Sequence, residues 1–264
     1  METIKELVAA GRDRDGAAID ALDRSAPYSY RDFCTNAWKA GNLLSHYGIR
    51  PGATLAVLAG PKEATAESEF GDIDSPDPLL AVLGAATVGA AADLTPAEPV
   101  DERAAVLPTG WLDQFEFAPG CSLVAYGGPP EDPSVTHFEG QSWSENPIEP
   151  PDPVSQGDDL LVSGDDRFTH GQTVAATGAL VERHDLDENS RIALDAPVTV
   201  PGALVAGLFA PLSVGATIVL GGANVGDVLS EEAEYVVTPD ESSTTSEATH
   251  ISAAEVTRLV RKQH

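Results

Sequence analysis

Short runs of β-branched and aliphatic residues alternate along this chain with longer stretches whose apolar residues recur at helical spacing. Residues 54–58 (Thr-Leu-Ala-Val-Leu), 90–94, 159–163, 191–194 and 216–220 read as buried strands. Residues 30–47, 79–89, 170–184 and 202–209 read as helices lying between them. In the first of these, Phe33, Ala37, Ala40, Leu43, Leu44 and Tyr47 make one apolar face. Ser29 is placed as its N-cap, with Asp32 three residues on, and Gly48 as the residue just past its end. Strand–helix–strand order needs crossover connections, so the expected fold class is α/β with largely parallel sheets flanked by helices. Further strands are expected at 19–22, 104–107, 122–126 and 234–237, with short helices at 1–15 and 252–263.

The same pattern divides the chain. A first α/β portion is expected over 1–126 and a second over 158–264. Between them, 127–157 holds seven prolines and reads as a linker or long surface loop. Residues 240–249 are rich in Ser, Thr and Glu and read as mobile.

Charge excludes several classes of partner. Lys and Arg total 15 against 42 Asp and Glu, a net charge of −27. Phosphate affinity needs clustered Lys and Arg, so nucleic acid is excluded as a general partner, and an anionic membrane surface is disfavoured. Hydrophobic residues still make up 42% of the chain and fall in periodic runs, so the charge does not indicate disorder. The acids are scattered through the whole length, and four lysines stand beside eleven arginines. Such a surface repels itself at low salt and is screened in molar salt, where the Debye length is about 3 Å. The composition is of the haloarchaeal type, and the expected setting is a salt-rich cytoplasm. Cys34 and Cys121 form no CxxC and fit reduced thiols. Met1 to Arg14 is amphipathic and of mixed charge, without the apolar core of a secretory leader. Residues 196–226 carry no charge, but Pro201, Pro211 and several glycines break the run, so a buried helix and strand are expected there rather than a membrane span.

Familiar chemical motifs are absent. Gly221 to Gly226 has the outer glycine spacing of a phosphate loop but neither its Lys nor its Ser/Thr. Asp72, Asp74 and Asp77 imitate the start of a calcium loop, yet Asp77 stands where the turn glycine belongs and Leu83 where the bidentate Glu belongs. The six histidines show no metal-ligand pairing. No catalytic residue and no metal ligand is identified.

Four segments, in order, resemble a known family. Tyr28-Ser29-Tyr30-Arg31-Asp32-Phe33, its helix, and Gly48-Ile49-Arg50-Pro51-Gly52-Ala53-Thr54-Leu55-Ala56-Val57 are similar to the "TY-x-E-L … G-v-x-p-G-D-x-V-A" opening of AMP-forming acyl-CoA synthetases, the adenylate-forming ligases. Leu80-Ala81-Val82-Leu83-Gly84 through Gly89-Ala90, with the turn Asp93-Leu94-Thr95-Pro96, resembles the family's "a-x-L-G-x-x-x-a-G-A … l-n-p". Residues 158–170 are placed like its phosphate loop, and 202–220 resemble "g-l-x-x-x-l-x-x-p-L-x-x-G-a-t-v-v-l". The resemblance implies the N-terminal portion of that fold, truncated and degenerate.

The family's phosphate loop reads "T-S-G-T-T-G-x-P-K-G-V", with a "T-H" just beyond. Here Ser163, Gly164, Asp165, Asp166, Thr169 and His170 occupy the matching stretch, and they are the candidate nucleotide-binding residues of a relic loop. Two carboxylates replace two threonines, and the Lys is gone. Ser163 and Gly164 also fit a plain strand end and turn, and His170 a residue near a helix start. The family's "Y-G-x-T-E" motif, ribose-binding aspartate and lid with its catalytic Lys find no match. These departures point to a binding, regulatory or assembly partner that has lost ligase activity and needs no cofactor. Two alternatives stay open. One is a ligase component completed by another chain, using ATP and Mg²⁺. The other is an independent small-ligand-binding module at the strand ends. An apolar face covered by a second copy or another chain is expected in the truncated reading.

Overall fold

A computed structural model describes residues 1–21, 26–221, 232–240 and 248–263. Helix α1 (Ile4–Arg12) leads into β1 (Ala17–Ala21) and the short β2 (Tyr28–Ser29), and α2 (Tyr30–His46) follows. Then come β3 (Thr54–Val57), α3 (Asp77–Thr87), β4 (Ala91–Asp93), β5 (Ala104–Pro108) and β6 (Ser122–Tyr126). The proline-rich stretch carries β7 (Thr136–His137) and α4 (Phe138–Ser144), so it is not wholly irregular. Next are β8 (Asp159–Ser163), β9 (Asp166–Thr169), α5 (His170–His184) and β10 (Arg191–Leu194). The chain continues through α6 (Pro201–Leu204), α7 (Ala210–Val214), β11 (Thr217–Leu220), β12 (Tyr235–Thr238), β13 (Thr249–Ser252) and α8 (Ala253–Arg261).

Two sheets result. One has the order β13-β12-β10-β11-β1-β2, the other β7-β6-β5-β3-β4-β8-β9. Every pairing is parallel except β1 with β2 and β8 with β9. The expected α/β class is therefore observed. The sheets do not divide the chain at its proline-rich stretch: β1 and β2 join strands from beyond residue 190, and β8 and β9 join strands from before residue 127. Helix α2 packs on β1, α3 packs on β3, β4 and β5, and the two helices pack on each other, so they separate the sheets. Their close approach rests on small residues. A Cβ on Gly41 would lie 2.5 Å from Thr87 Oγ1, and one on Gly84 would lie 2.9 Å from Ala40 Cβ.

Strand residues are buried on both faces, as parallel sheets require. Leu55, Val57, Ala104 and Val106 enter the main core, whereas Ala56, Leu58, Ala105 and Leu107 pack with Trp111 in a second cluster. Ile192 and Ile218 likewise enter the main core, while Ala193, Val219 and Val236 face a third cluster. The expected N-cap is present: Ser29 accepts from the Asp32 N–H, and Gly48 takes φ +81°. Residues 143–153 run as a strap over α1 and α2. Lys39 donates to the Trp143 carbonyl at 2.9 Å, and Asn42 to the Asn146 and Ile148 carbonyls, each at 2.9 Å. Lys5 reaches the carbonyls of Pro150 and Asp152 at 2.6 Å each.

The uncharged run folds as a broken helix and a strand. Between α6 and α7 the turn widens to π form over Val205–Phe209, so that Ala210 N–H bonds to the Val205 carbonyl. Pro211, which has no N–H to offer the Gly207 carbonyl, accounts for the widening. Among the described residues no helix is long and apolar enough to cross a membrane. Strand β13 was not anticipated, and neither was β9. The expected continuation of β1 through Leu22, the glycines from Gly222 to Gly226, and 241–247 of the mobile segment lie outside the described residues. Cys34 and Cys121 are unpaired.

Candidate functional site

The stretch aligned with a phosphate loop folds as a tight β-hairpin. Ser163 pairs with Asp166 across it, leaving only Gly164 and Asp165 in the turn. Gly164 takes φ +59°, a backbone region that favours glycine and fits a type II′ turn with glycine first. Three polar groups of the hairpin, on Ser163, Gly164 and Asp166, are each held by a different element. Gly164 N–H donates to Thr95 Oγ1 at 2.8 Å. The Ser163 hydroxyl donates to the Thr199 carbonyl at 3.4 Å. The Asp166 carboxylate meets the Arg261 guanidinium of α8, and Arg167 meets Asp159 at 2.8 Å. Asp165 points outward and is exposed.

Below the turn the same strand ends in buried chemistry. Thr169 caps α5: its hydroxyl accepts from Gln172 N–H at 3.2 Å, and Gln172 Oε1 accepts from Thr169 N–H at 3.0 Å. His170 is fully buried, and its Nδ1 accepts from the Ile4 N–H at 3.1 Å. That N–H opens α1 and has no partner inside its own helix, so His170 joins the starts of two helices. The bond makes Nδ1 the unprotonated nitrogen and places the ring proton on Nε2, which is buried without a partner among the described residues. Burial pulls the imidazole down to about 4 and keeps it neutral.

A cleft of about 540 Å³ opens at the carboxyl ends of β3, β10 and β12, where parallel α/β sheets commonly place ligands. Pro61, Glu67, Glu69, Asp72, Asp195 and Pro239 are among its walls. Desolvation raises the carboxyls of Asp72 and Asp195, and Glu69 and Asp195 push Asp72 further. Gly71 stitches the cleft to the hairpin. Its N–H donates to the Ala59 carbonyl at 2.8 Å, and its own carbonyl accepts from Val198 N–H at 2.9 Å, one residue from the Thr199 carbonyl that Ser163 reaches. Gly71 has φ +96°, and a Cβ there would lie 2.9 Å from Pro197 Cβ.

The structure brings Ser163, Gly164, Asp165 and Asp166 together in the turn, with Thr169 and His170 at the other end of β9. Sequence reasoning missed Thr95, Thr199 and Arg261, the partners that hold the turn. Thr95 carried a signal, since it stands in the Asp93–Pro96 strand-end turn. Thr199 and Arg261 carried none, because their contacts span 36 and 95 residues. Among the described residues no group of three or more His, Cys, Asp and Glu side chains is arranged to hold a metal, and Asp74 instead accepts from Lys62 N–H at 2.7 Å.

No protein-family model matches the sequence. No curated protein matches it either. Solved structures do. An anthranilate CoA ligase in complex with anthranoyl-AMP superposes with a TM-score of 0.72 at 18% identity, over 89% of this chain and 49% of its own. A benzoate CoA ligase from Burkholderia xenovorans LB400 gives 0.67 at 17% identity, over 90% and 50%. The N-terminal domain of FACL13 from Mycobacterium tuberculosis gives 0.68 at 16% identity, over 90% and 62%. The fold is thus that of the N-terminal part of acyl- and aryl-CoA ligases, and the chain spans about half the length of the anthranilate and benzoate CoA ligases.

Proposed function

We propose that this protein keeps the scaffold of an adenylate-forming ligase without its ATP chemistry and acts as a binding, regulatory or assembly partner. The observation that carries this reading is the two-residue turn at Gly164-Asp165. A phosphate loop works by presenting several free N–H and hydroxyl donors. Here the Gly164 N–H and the Ser163 hydroxyl already have acceptors, and Thr169 caps α5. The carboxylates of Asp165 and Asp166 would oppose a triphosphate by about 4 kcal/mol per close pair at an effective dielectric of 20. The reading expects no nucleotide cofactor. A second copy or another protein is assigned the place that the remainder of a longer relative would occupy. The acid surface is assigned to a salt-rich cytoplasm, with a melting temperature that rises with KCl; a fall would overturn that assignment.

Thermal unfolding with millimolar ATP–Mg²⁺ tests the loss of ATP chemistry, since a ligand of the native state must stabilise it. No shift is expected, and none in Asp165→Thr/Asp166→Thr, because the turn keeps its short backbone. A saturable shift in the unmodified protein would overturn the reading. One observation favours a second reading, a ligase component completed by another chain: the match spans only about half of each CoA ligase. That reading requires ATP–pyrophosphate exchange to appear when a purified partner chain is added.

A further inference from the structure

The carboxyl groups of Asp93 and Glu102 meet side chain to side chain. Asp93 ends β4, and Glu102 stands two residues before β5. Both residues are partly buried, and their surroundings differ. Asp93 Oδ1 accepts from the Thr95 N–H at 2.9 Å, and the Arg167 guanidinium acts on the same carboxyl from β9. Both influences favour its charged form. Glu102 Oε2 is shielded from water and finds no N–H or O–H donor among the described residues. Asp101 sets a further negative charge beside Glu102. Cys121, just before β6, adds no charge: burial, then Glu102 and Asp101, push its thiol up to about 11. Arg103 lies against Gly48.

An oxygen closed to water and without a donor is costly as part of a carboxylate. Two carboxylates in contact also repel each other, whereas a carboxyl and a carboxylate make a short charge-assisted bond. One proton answers both demands. We propose that Asp93 and Glu102 hold one proton between them, Glu102 donating to the Asp93 carboxylate, and that this bond is a pH-sensitive brace for the turn that anchors the Gly164 hairpin. The path to the hairpin is short. Asp93 holds the Thr95 N–H, and Thr95 Oγ1 holds the Gly164 N–H at 2.8 Å. Burial raises both carboxyls, and Asp93 and Asp101 raise Glu102 further. The folded chain therefore keeps this proton to higher pH than the unfolded chain does. The stability it gives is complete below the ordinary glutamate value of 4.5 and is lost as pH rises through the folded value. The brace does not depend on whether ATP chemistry has been lost.

Carbon-detected NMR of the two carboxyls from about pH 4 to about pH 8 tests this, beside thermal unfolding of wild type and Glu102→Gln. Glutamine keeps the shape of the side chain and offers an N–H donor at every pH. The Glu102 carboxyl carbon is expected to titrate above the ordinary glutamate range, and the Asp93 carbon to show a second, smaller step at the same pH. That step vanishes in Glu102→Gln. The variant melts together with wild type at the acid end and about 2–4 °C above it at the alkaline end. Asp72 and Asp195 titrate in both proteins and cancel in the difference. Amide exchange at Gly164, corrected for its intrinsic rise with pH, increases by about three- to tenfold across the range in wild type and stays level in the variant. A Glu102 carbon that titrates in the ordinary range would overturn the inference. So would a second Asp93 step that survives the substitution, equal melting temperatures at both ends of the range, or Gly164 exchange indifferent to the substitution.

Discussion

The four residues of β9 separate the turn from His170, and the two ends are built on opposite principles. At the turn, Gly164 and Asp165 stand in water, and the polar groups around them are tied by single bonds to Thr95, Thr199 and Arg261. At His170 the ring is sealed from solvent and fixes the first turn of α5 to the first turn of α1. The framework under the loop is made of buried contacts that tolerate little change, and the loop is made of exposed ones that tolerate much. Ligand chemistry can therefore depart from that of similar folds without disturbing the architecture.

Mutagenesis at the two ends should differ accordingly. His170→Ala strands the Ile4 N–H in an apolar surround and opens a cavity, so a loss of about 2–4 kcal/mol is expected in urea unfolding. A loss under 0.5 kcal/mol would erase the contrast between the two ends. Acid gives a related contrast. The folded imidazole, at about 4, lies below its ordinary 6.5, so the unfolded chain binds the extra proton. The stability His170 contributes is complete above pH 6.5 and is lost as pH falls through 4, about 3 kcal/mol in all. The carboxyls of Asp72, Asp93, Glu102 and Asp195 are raised and act in the opposite sense, stabilising as pH falls. The comparison to measure is therefore wild type minus His170→Asn from pH 7 to 4, and a difference independent of pH would refute the buried neutral ring.

At the turn, Gly164→Ala forces a side chain into positive φ, and about 1 kcal/mol is expected, read as a lowered melting temperature. Smallest of all is Asp166→Asn, which releases an ion pair whose two side chains are 45% and 52% exposed. No more than about 1 kcal/mol is expected at low salt, vanishing in molar KCl. A larger, salt-resistant loss would make the turn as demanding as the joint beneath it.

The strands and helices with strong periodicity were legible in the sequence, because burial on both faces leaves continuous aliphatic runs such as 54–57 and 217–220. The hairpin was not. Residues 166–169 read Asp-Arg-Phe-Thr, and only Phe168 is buried. Nothing local distinguishes that from a polar loop. β13 hid for the same reason, since Thr249 and His250 are not buried and only its last two residues are. The candidate stretch was legible as a turn after a strand, and the partners of Ser163 and Gly164 were not, because they come from elements remote in sequence. His170 could be noticed by its place beside Thr169, yet its bond to Ile4 spans 166 residues.

Strand β1 sits between β2 and β11, with Ile19 opposite Ile218. A ribosome making about 5–20 residues per second would deliver the later strand roughly 10–40 s after the earlier one. Until then the buried faces of Ile19 and Ala21 have no parallel neighbour, and α2 has only part of the surface it packs on. Strands from beyond residue 190 thus complete a sheet begun by residues 17–29. Premature termination just before residue 217 would leave a chain with most of its helices and an open sheet edge, a form more exposed to proteases and self-association than its length alone suggests.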